Sequence, residues 1–299
     1  MIKEIQVSGF GKCLLISNDT YSAAVTLDIG PRILRFHLNE HENLFKEDIN
    51  RNVFHTDEGK TWFLYGGHRL WASPELSPRT YFPDNFPVEY RIEDKSIRFI
   101  QIPQTENGLQ FEILLTPHED ALIVEHSIIN IGESPQTLAS WALSAMSQGG
   151  AEIVPVCSEK TGFLPNRILS LWDYTNLRDE RVFFGKKYIV LRQDSNNRNP
   201  FKIGFNNTDG WAAYINHGQI MIKRFEPQTQ FDYPDFGAGY ETYTNHEFLE
   251  IETLSRLRTL EKGQAVTHTE RWQIKPFAGL LNLTDEEEIE MAVTKLINE

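Results

Sequence analysis

Leu109-Gln110-Phe111-Glu112-Ile113-Leu114-Leu115-Thr116 places apolar side chains at Leu109, Phe111, Ile113 and Leu115, and Leu122, Val124, His126 and Ile128 repeat the spacing a few residues later. A period of two puts one side of each segment in a core and the other outside, which is the pattern of a strand. Leu34, Phe36 and Leu38 alternate in the same way, and shorter runs of this kind recur at 97–102, 139–145, 188–192, 211–215, 248–253 and 267–274. Turn signals separate them: Gly30-Pro31, Glu106-Asn107-Gly108, Asn130-Ile131-Gly132, Asn207-Thr208-Asp209-Gly210 and Glu261-Lys262-Gly263. A chain of 299 residues would fill two average domains, but β-sandwiches often use this length as one. No Gly/Ser linker or charge block marks a boundary. The expectation is all-β: one large antiparallel β-sandwich domain over residues 1–299, with a short C-terminal helix. That helix is announced by Thr284 and Glu287 as a capping box, by Asp285, Glu286 and Glu288 at the positive end of its dipole, and by Ile289, Ala292, Val293 and Leu296 on one face.

Composition bounds the function classes. With 29 Lys+Arg against 42 Asp+Glu the net charge is −13, which argues against a surface that wraps nucleic acid, since phosphate binding needs clustered positive charge. The 40% of hydrophobic residues is enough for a full core and too much for a disordered chain. No apolar run approaches the roughly 18 residues of a membrane span. The N-terminal Met1-Ile2-Lys3-Glu4 is unlike a secretory signal, and Cys13 and Cys157 are too few for a disulfide framework. The expectation is a soluble, cytoplasmic protein, biased towards neutral or cationic ligands.

Several strings that resemble chemical motifs lack the context their chemistry needs. His37-Leu38-Asn39-Glu40-His41 matches an inverted zinc-protease string, but that chemistry requires a helix, and here an alternating strand runs into a polar turn. Gly9-Phe10-Gly11-Lys12 lacks the spacing of a phosphate loop, and no Cys/His cluster has zinc spacing. His126 lies in register with apolar neighbours and reads as a core residue.

Four segments concentrate aromatic and hydrogen-bonding residues away from simple alternation. They are 65–75 with 81–85, 140–150, 171–181, and 223–254. Gly66-Gly67 ahead of His68-Arg69 allows a sharp bend that brings a cationic pair up to a ligand. Trp71, Trp141 and Trp172 offer flat apolar faces, and Glu75, Asp235, Glu241, Glu250 and Glu252 lie in the same segments. Rings beside carboxylates suit a sugar, whose C–H patch stacks while its hydroxyls take paired donors and acceptors. The competing reading is structural: tryptophans are core residues more often than platforms, and Arg69 would then serve an internal ion pair.

In this order the residues resemble the galactose mutarotase-like superfamily, the aldose 1-epimerase-like β-supersandwiches, and most closely a bacterial branch of it. The resemblance rests on Gly66-Gly67-His68-Arg69-Leu70-Trp71 with Pro74-Glu75, Trp141 ahead of Gly149-Gly150, Trp172-Asp173-Tyr174 with Asp179 and Arg181, the 249–254 strand, and His268-Thr269-Glu270-Arg271-Trp272. It spans about residues 21–274. It implies a sugar on the concave face of the large sheet, and neither metal nor cofactor. In such mutarotases a glutamate takes the anomeric proton and a histidine protonates the ring oxygen. The resemblance puts Glu252 at the base, with Glu250 on the same strand face as its competitor. The stretch that carries the family's acid is here Ser140-Trp141-Ala142-Leu143, without a histidine, so His68 stands as the candidate acid. Arg69 would hold ring hydroxyls or an anionic substituent, Asp235 and Glu241 would bind sugar hydroxyls, and Trp71, Trp141 and Trp172 would stack. Three functions stay open: an epimerase-like isomerase, a non-catalytic carbohydrate-binding or regulatory domain, and a glycoside hydrolase or lyase using Glu75 with Glu252. The expected partner is a small sugar or sugar derivative, with neither nucleic acid nor membrane; the oligomeric state stays open.

Overall fold

The alternating segments pair into two antiparallel sheets in the computed structural model, which describes residues 1–50, 52–56, 59–227, 232–279 and 281–298. The larger sheet has eleven strands. Ten run in the order Ile2–Val7, Gly11–Ser17, Tyr21–Thr26, Ile33–Leu38, Gly67–Ser73, Gln136–Met146, Leu249–Leu254, Tyr240–Thr244, Phe201–Phe205 and Leu169–Leu171, and Arg258–Leu260 pairs with Gln136–Met146 off this path. The second sheet orders ten: Val182–Phe184, Tyr188–Arg192, Ala151–Pro155, Trp211–Asn216, Gln219–Phe225, Ala265–Pro276, Leu122–Asn130, Leu109–Pro117, Ser96–Ile100 and Glu89–Glu93. A separate hairpin joins Val53–His55 to Thr61–Phe63.

Leu109–Pro117 and Leu122–Asn130 pair from Leu109 opposite Asn130 to Pro117 opposite Leu122, so their apolar sets share one face. That face meets the inner face of the large sheet. Phe36 of the large sheet lies 5.4 Å from Trp272 of the second, centroid to centroid, and Phe45 5.5 Å from the same ring. Such ring contacts add to the apolar burial that drives the sheets together.

The central strands of the large sheet behave differently. Gln136–Met146 is buried at every position from Leu138 to Met146, and Leu249–Leu254 throughout. Their inner faces carry Leu138, Met146, Leu249 and Ile251 into the core. Their outer faces carry Trp141, Leu143, Glu250 and Glu252, which other side chains cover.

The C-terminal helix, Glu286–Asn298, lies on the second sheet with Ile289 and Val293 fully buried against Ile153, Val190, Ile220 and Ile222. Its cap differs from the expected Thr284 box. Asp285 Oδ1 accepts from the amides of Glu287 and Glu288 at 3.0 and 3.2 Å, while the Thr284 hydroxyl donates back to Asn282. Asp285 is the better cap because a carboxylate accepts two amide protons and also complements the dipole. His37 and His41 fall on a strand and the turn after it, as their context indicated.

Candidate functional site

Strand register assembles the site on the outer face of the large sheet. Leu143 pairs with Arg69 on one side and Glu252 on the other, and Glu252 pairs onward with Glu241. One row therefore reads Arg69, Leu143, Glu252, Glu241. The row beside it reads Ala145, Glu250, Tyr243, Lys202. A third places Trp71 opposite Trp141. Gly66 and Gly67 open this arrangement at φ of +82° and +66°, and a Cβ on Gly67 would sit 2.6 Å from the carbonyl oxygen of Ile33. Only glycine lets the chain turn there so close to its neighbour.

Between these rows and the loops above them lies a cleft of about 290 Å³, lined by Arg69, Trp71, Glu75, Trp141 and Glu250 together with Phe54, Trp62, Tyr81, Tyr174, Lys202, Tyr243 and others. Other clefts, of about 310 Å³ beside Arg256 and Arg258 and about 470 Å³ beside Lys46 and Asp48, contain none of the candidate catalytic or sugar-binding residues named from the sequence. Arg69 is 2% exposed; its Nη1 donates to Glu250 Oε1 at 2.9 Å, and its guanidinium stacks 4.2 Å above the Trp71 ring. The Tyr81 hydroxyl donates to Glu75 Oε1 at the exposed mouth.

Lys202 is the hub on the opposite side. Its Nζ lies 4.7 Å from the ring centroids of both Trp141 and Trp172, 3.0 Å from Glu252 Oε2 and 2.8 Å from Glu241 Oε2. Trp141 Nε1 also donates to Glu252 Oε2, at 2.8 Å. Burial opposes the charge on Lys202, but Glu252 and Glu241 outweigh it and hold the ammonium well above its ordinary range. Burial pushes both carboxyls up despite Lys202, and each feels a neighbouring carboxylate, Glu250 for Glu252 and Glu252 for Glu241. Asp235, in the turn Pro234–Gly237, adds to the upward push on Glu241. Four buried atoms of the site have neither a hydrogen-bond nor an ion-pair partner among the described residues: Arg69 Nε, Trp62 Nε1, Glu241 Oε1 and Glu252 Oε1.

The structure thus brings Arg69, Trp71, Glu75, Trp141 and Glu250 to one cleft, with Trp172 and the pair Glu241 and Glu252 around Lys202. Glu252 does not line the cleft; it is sealed beneath, at 0% exposure. Glu75 and Glu252 therefore do not face each other across it.

His68 requires a correction. It neighbours Arg69 in a strand and so points to the opposite face, into the space between the sheets. There it is fully buried, 4.7 Å from the Trp272 ring. His126 Nδ1 faces the carbonyl oxygen of His268 at 2.9 Å and must carry the proton. The His126 Nε2 then accepts from His68 Nε2 at 2.7 Å, and His68 Nδ1 accepts from the Ser144 hydroxyl at 2.8 Å. Ser144 in turn accepts from Lys223 Nζ. Burial, seconded by the Lys223 charge, pulls His68 well below the ordinary histidine range. A neutral imidazole with both nitrogens engaged inside the core is no acid for a ligand on the outer face. His68, His126 and Glu270 place ligand atoms within 4.8 Å of one another, but the 2.7 Å nitrogen contact is a hydrogen bond and Lys223 stands 3.1 Å from Glu270, so protein partners close the group.

Lys202 escaped the sequence reading, although a lone charge inside Phe201-Lys202-Ile203-Gly204-Phe205 is the available signal. Trp62 and Phe54, on the hairpin that walls the cleft, carried none.

No family model and no curated protein matches this sequence. Solved structures do. A galactose mutarotase-like protein from Lactobacillus casei is 10% identical, with a TM-score of 0.54 over 88% of this chain and 100% of that one. A galactose mutarotase-like protein from Clostridium acetobutylicum is 12% identical, with 0.53 over 93% and 99%. A TPR-domain containing protein from Parabacteroides distasonis is 12% identical, with 0.59 over 92% of this chain and 50% of that one. The fold is galactose mutarotase-like. Identities this low speak for fold alone, and one sandwich serves proteins of different build.

Proposed function

We propose that the protein binds a sugar or sugar derivative in the cleft on the outer face of the large sheet. The observation that carries this reading is the combination, in one cleft of about 290 Å³, of the Trp71 and Trp141 rings, packed edge to face, with the Arg69–Glu250 pair and Lys202. Rings accept the C–H patch of a pyranose, and ion-paired groups offer donors and acceptors to its hydroxyls without a net charge of their own. Isothermal titration against a panel of free hexoses and pentoses tests it. Saturable binding that weakens at least tenfold in Trp71→Ala supports the reading, and a panel without any saturable binding refutes it.

A second reading, aldose 1-epimerase-like isomerisation, is favoured by Glu250, the carboxylate that lines the cleft where Glu252 does not. Proton transfer needs a base within hydrogen-bond reach of the anomeric hydroxyl. Exchange between anomers, followed by NMR on the bound sugars, separates the two readings. Acceleration abolished by Glu250→Gln while binding persists marks an isomerase; binding without acceleration marks a carbohydrate-binding protein.

A further inference from the structure

We propose that the sugar taken by this cleft is an amino sugar, with its ammonium group seated against Glu75 at the mouth; the inference rests on the reading that the cleft binds a sugar.

The argument is one of charge matching. Two cations stand among four carboxylates here and pair with three of them. Arg69 pairs with Glu250 at 2.9 Å, and Lys202 is shared between Glu252 and Glu241 at 3.0 and 2.8 Å. Both cations are buried and committed, so neither is left over for a phosphate or carboxylate on the ligand. Among the described residues, Glu75 lines the cleft with no basic partner and receives only the Tyr81 hydroxyl. The unmatched charge that a ligand meets is therefore negative, and it is local to the mouth.

The surroundings of Glu75 suit an ammonium group as well. The Tyr81 ring packs 5.2 Å from Trp71 and 5.7 Å from Trp62, edge to face, and stacks 4.4 Å from Phe54. A cation between a carboxylate and ring faces gains from both the Coulomb attraction and the ring quadrupole. These rings already hold one cation in that way, since the Arg69 guanidinium sits 4.2 Å over Trp71 and 5.6 Å from Trp62. Two buried donors, Arg69 Nε and Trp62 Nε1, have no acceptor among the described residues and point to a ligand that brings hydroxyl oxygens.

The test is a titration of the wild-type protein at about pH 6, where the amine is protonated. Glucosamine and galactosamine are compared with glucose, galactose, glucose 6-phosphate and glucuronate. The expected result is an amino-sugar affinity about tenfold above that of the parent sugar, an advantage that shrinks with added salt, and weaker binding of both anionic sugars. In Glu75→Gln the ratio of amino to parent sugar falls to about one; each protein is its own reference, so a general loss of affinity does not disturb the ratio. Equal affinity for amino and parent sugars, or a preference for the anionic ones, overturns this inference and leaves the sugar-binding reading in place. Absence of binding by every sugar overturns both.

Discussion

At the scale of single residues, Lys202 decides whether the outer face of the large sheet can exist as built. Two buried carboxylates, Glu241 and Glu252, are paired neighbours on adjacent strands, and each has 0% exposure. Isolated, such a pair would repel and lose its hydration; the single ammonium between them offsets both costs, and the Trp141 and Trp172 rings replace part of its lost water. Lys202→Met keeps the stem and removes the charge. The expected loss of unfolding free energy is about 3–5 kcal/mol at neutral pH, read by urea denaturation. The sign with pH follows from the upward shifts of Glu241 and Glu252: their ionisation opposes folding, and protonation relieves the variant. The deficit relative to wild type therefore narrows as pH falls and widens as pH rises through the carboxylate range. A deficit that is constant with pH would show that the triad is not electrically coupled.

At the scale of elements, strand parity explains both the sites that could be read and the one that was misplaced. Leu109–Pro117 and Leu122–Asn130 have one face in the core, so alternation announced them in the sequence. Glu250 and Glu252 were placed on one face by the same rule. The glycine bend at 66–67 predicts that His68 and Arg69 act together as a cationic pair, yet the strand begins at Gly67, and adjacent residues of a strand cannot share a face. The central strands hide this because both of their faces are buried, one in the core and one under the cleft, and alternation disappears. Lys202 was lost for the same reason: its partners come from two strands far away in sequence, and only the register of the sheet brings them within 3.0 Å. The C-terminal helix follows the opposite logic, since its stripe is complete within 13 residues. Ile289 and Val293 fill the contact with the second sheet, so Ile289→Ala should cost about 2–4 kcal/mol by urea denaturation. Sugar titrations of that variant should match wild type, because the helix lies on the second sheet and the cleft on the outer face of the first.

At the scale of the whole molecule, the two sheets are joined by ionisable groups as well as by rings, and these set opposing pH ramps. Glu152 of the second sheet is hydrogen-bonded to the Tyr240 hydroxyl and, at 2.6 Å, to the Thr242 hydroxyl of the large sheet. Thr253 of the large sheet lies 2.7 Å from His268 Nε2 and donates to Glu270, both of the second sheet. Burial pulls His268 down to about 4. Its unfolded counterpart protonates first as pH falls, so its share of stability is full above about 6.5 and declines towards 4, by about 3 kcal/mol. Burial pushes Glu152 up to about 8, and here the sign reverses. Below about 4.5 the carboxyl is protonated in both states; between about 4.5 and 8 the unfolded chain ionises while the folded one keeps its proton, so rising pH erodes stability by as much as about 5 kcal/mol. Glu152→Gln removes this ramp while keeping a polar group between Tyr240 and Thr242, whose hydroxyls can each accept as well as donate. Urea denaturation of both proteins at several values between about pH 5 and pH 8 should show the variant gaining on wild type by several kcal/mol as pH rises. A gap that stays level, or that moves towards wild type, would mean that Glu152 is ionised in the folded protein and that its two hydroxyl donors, rather than its proton, hold the sheets at this point.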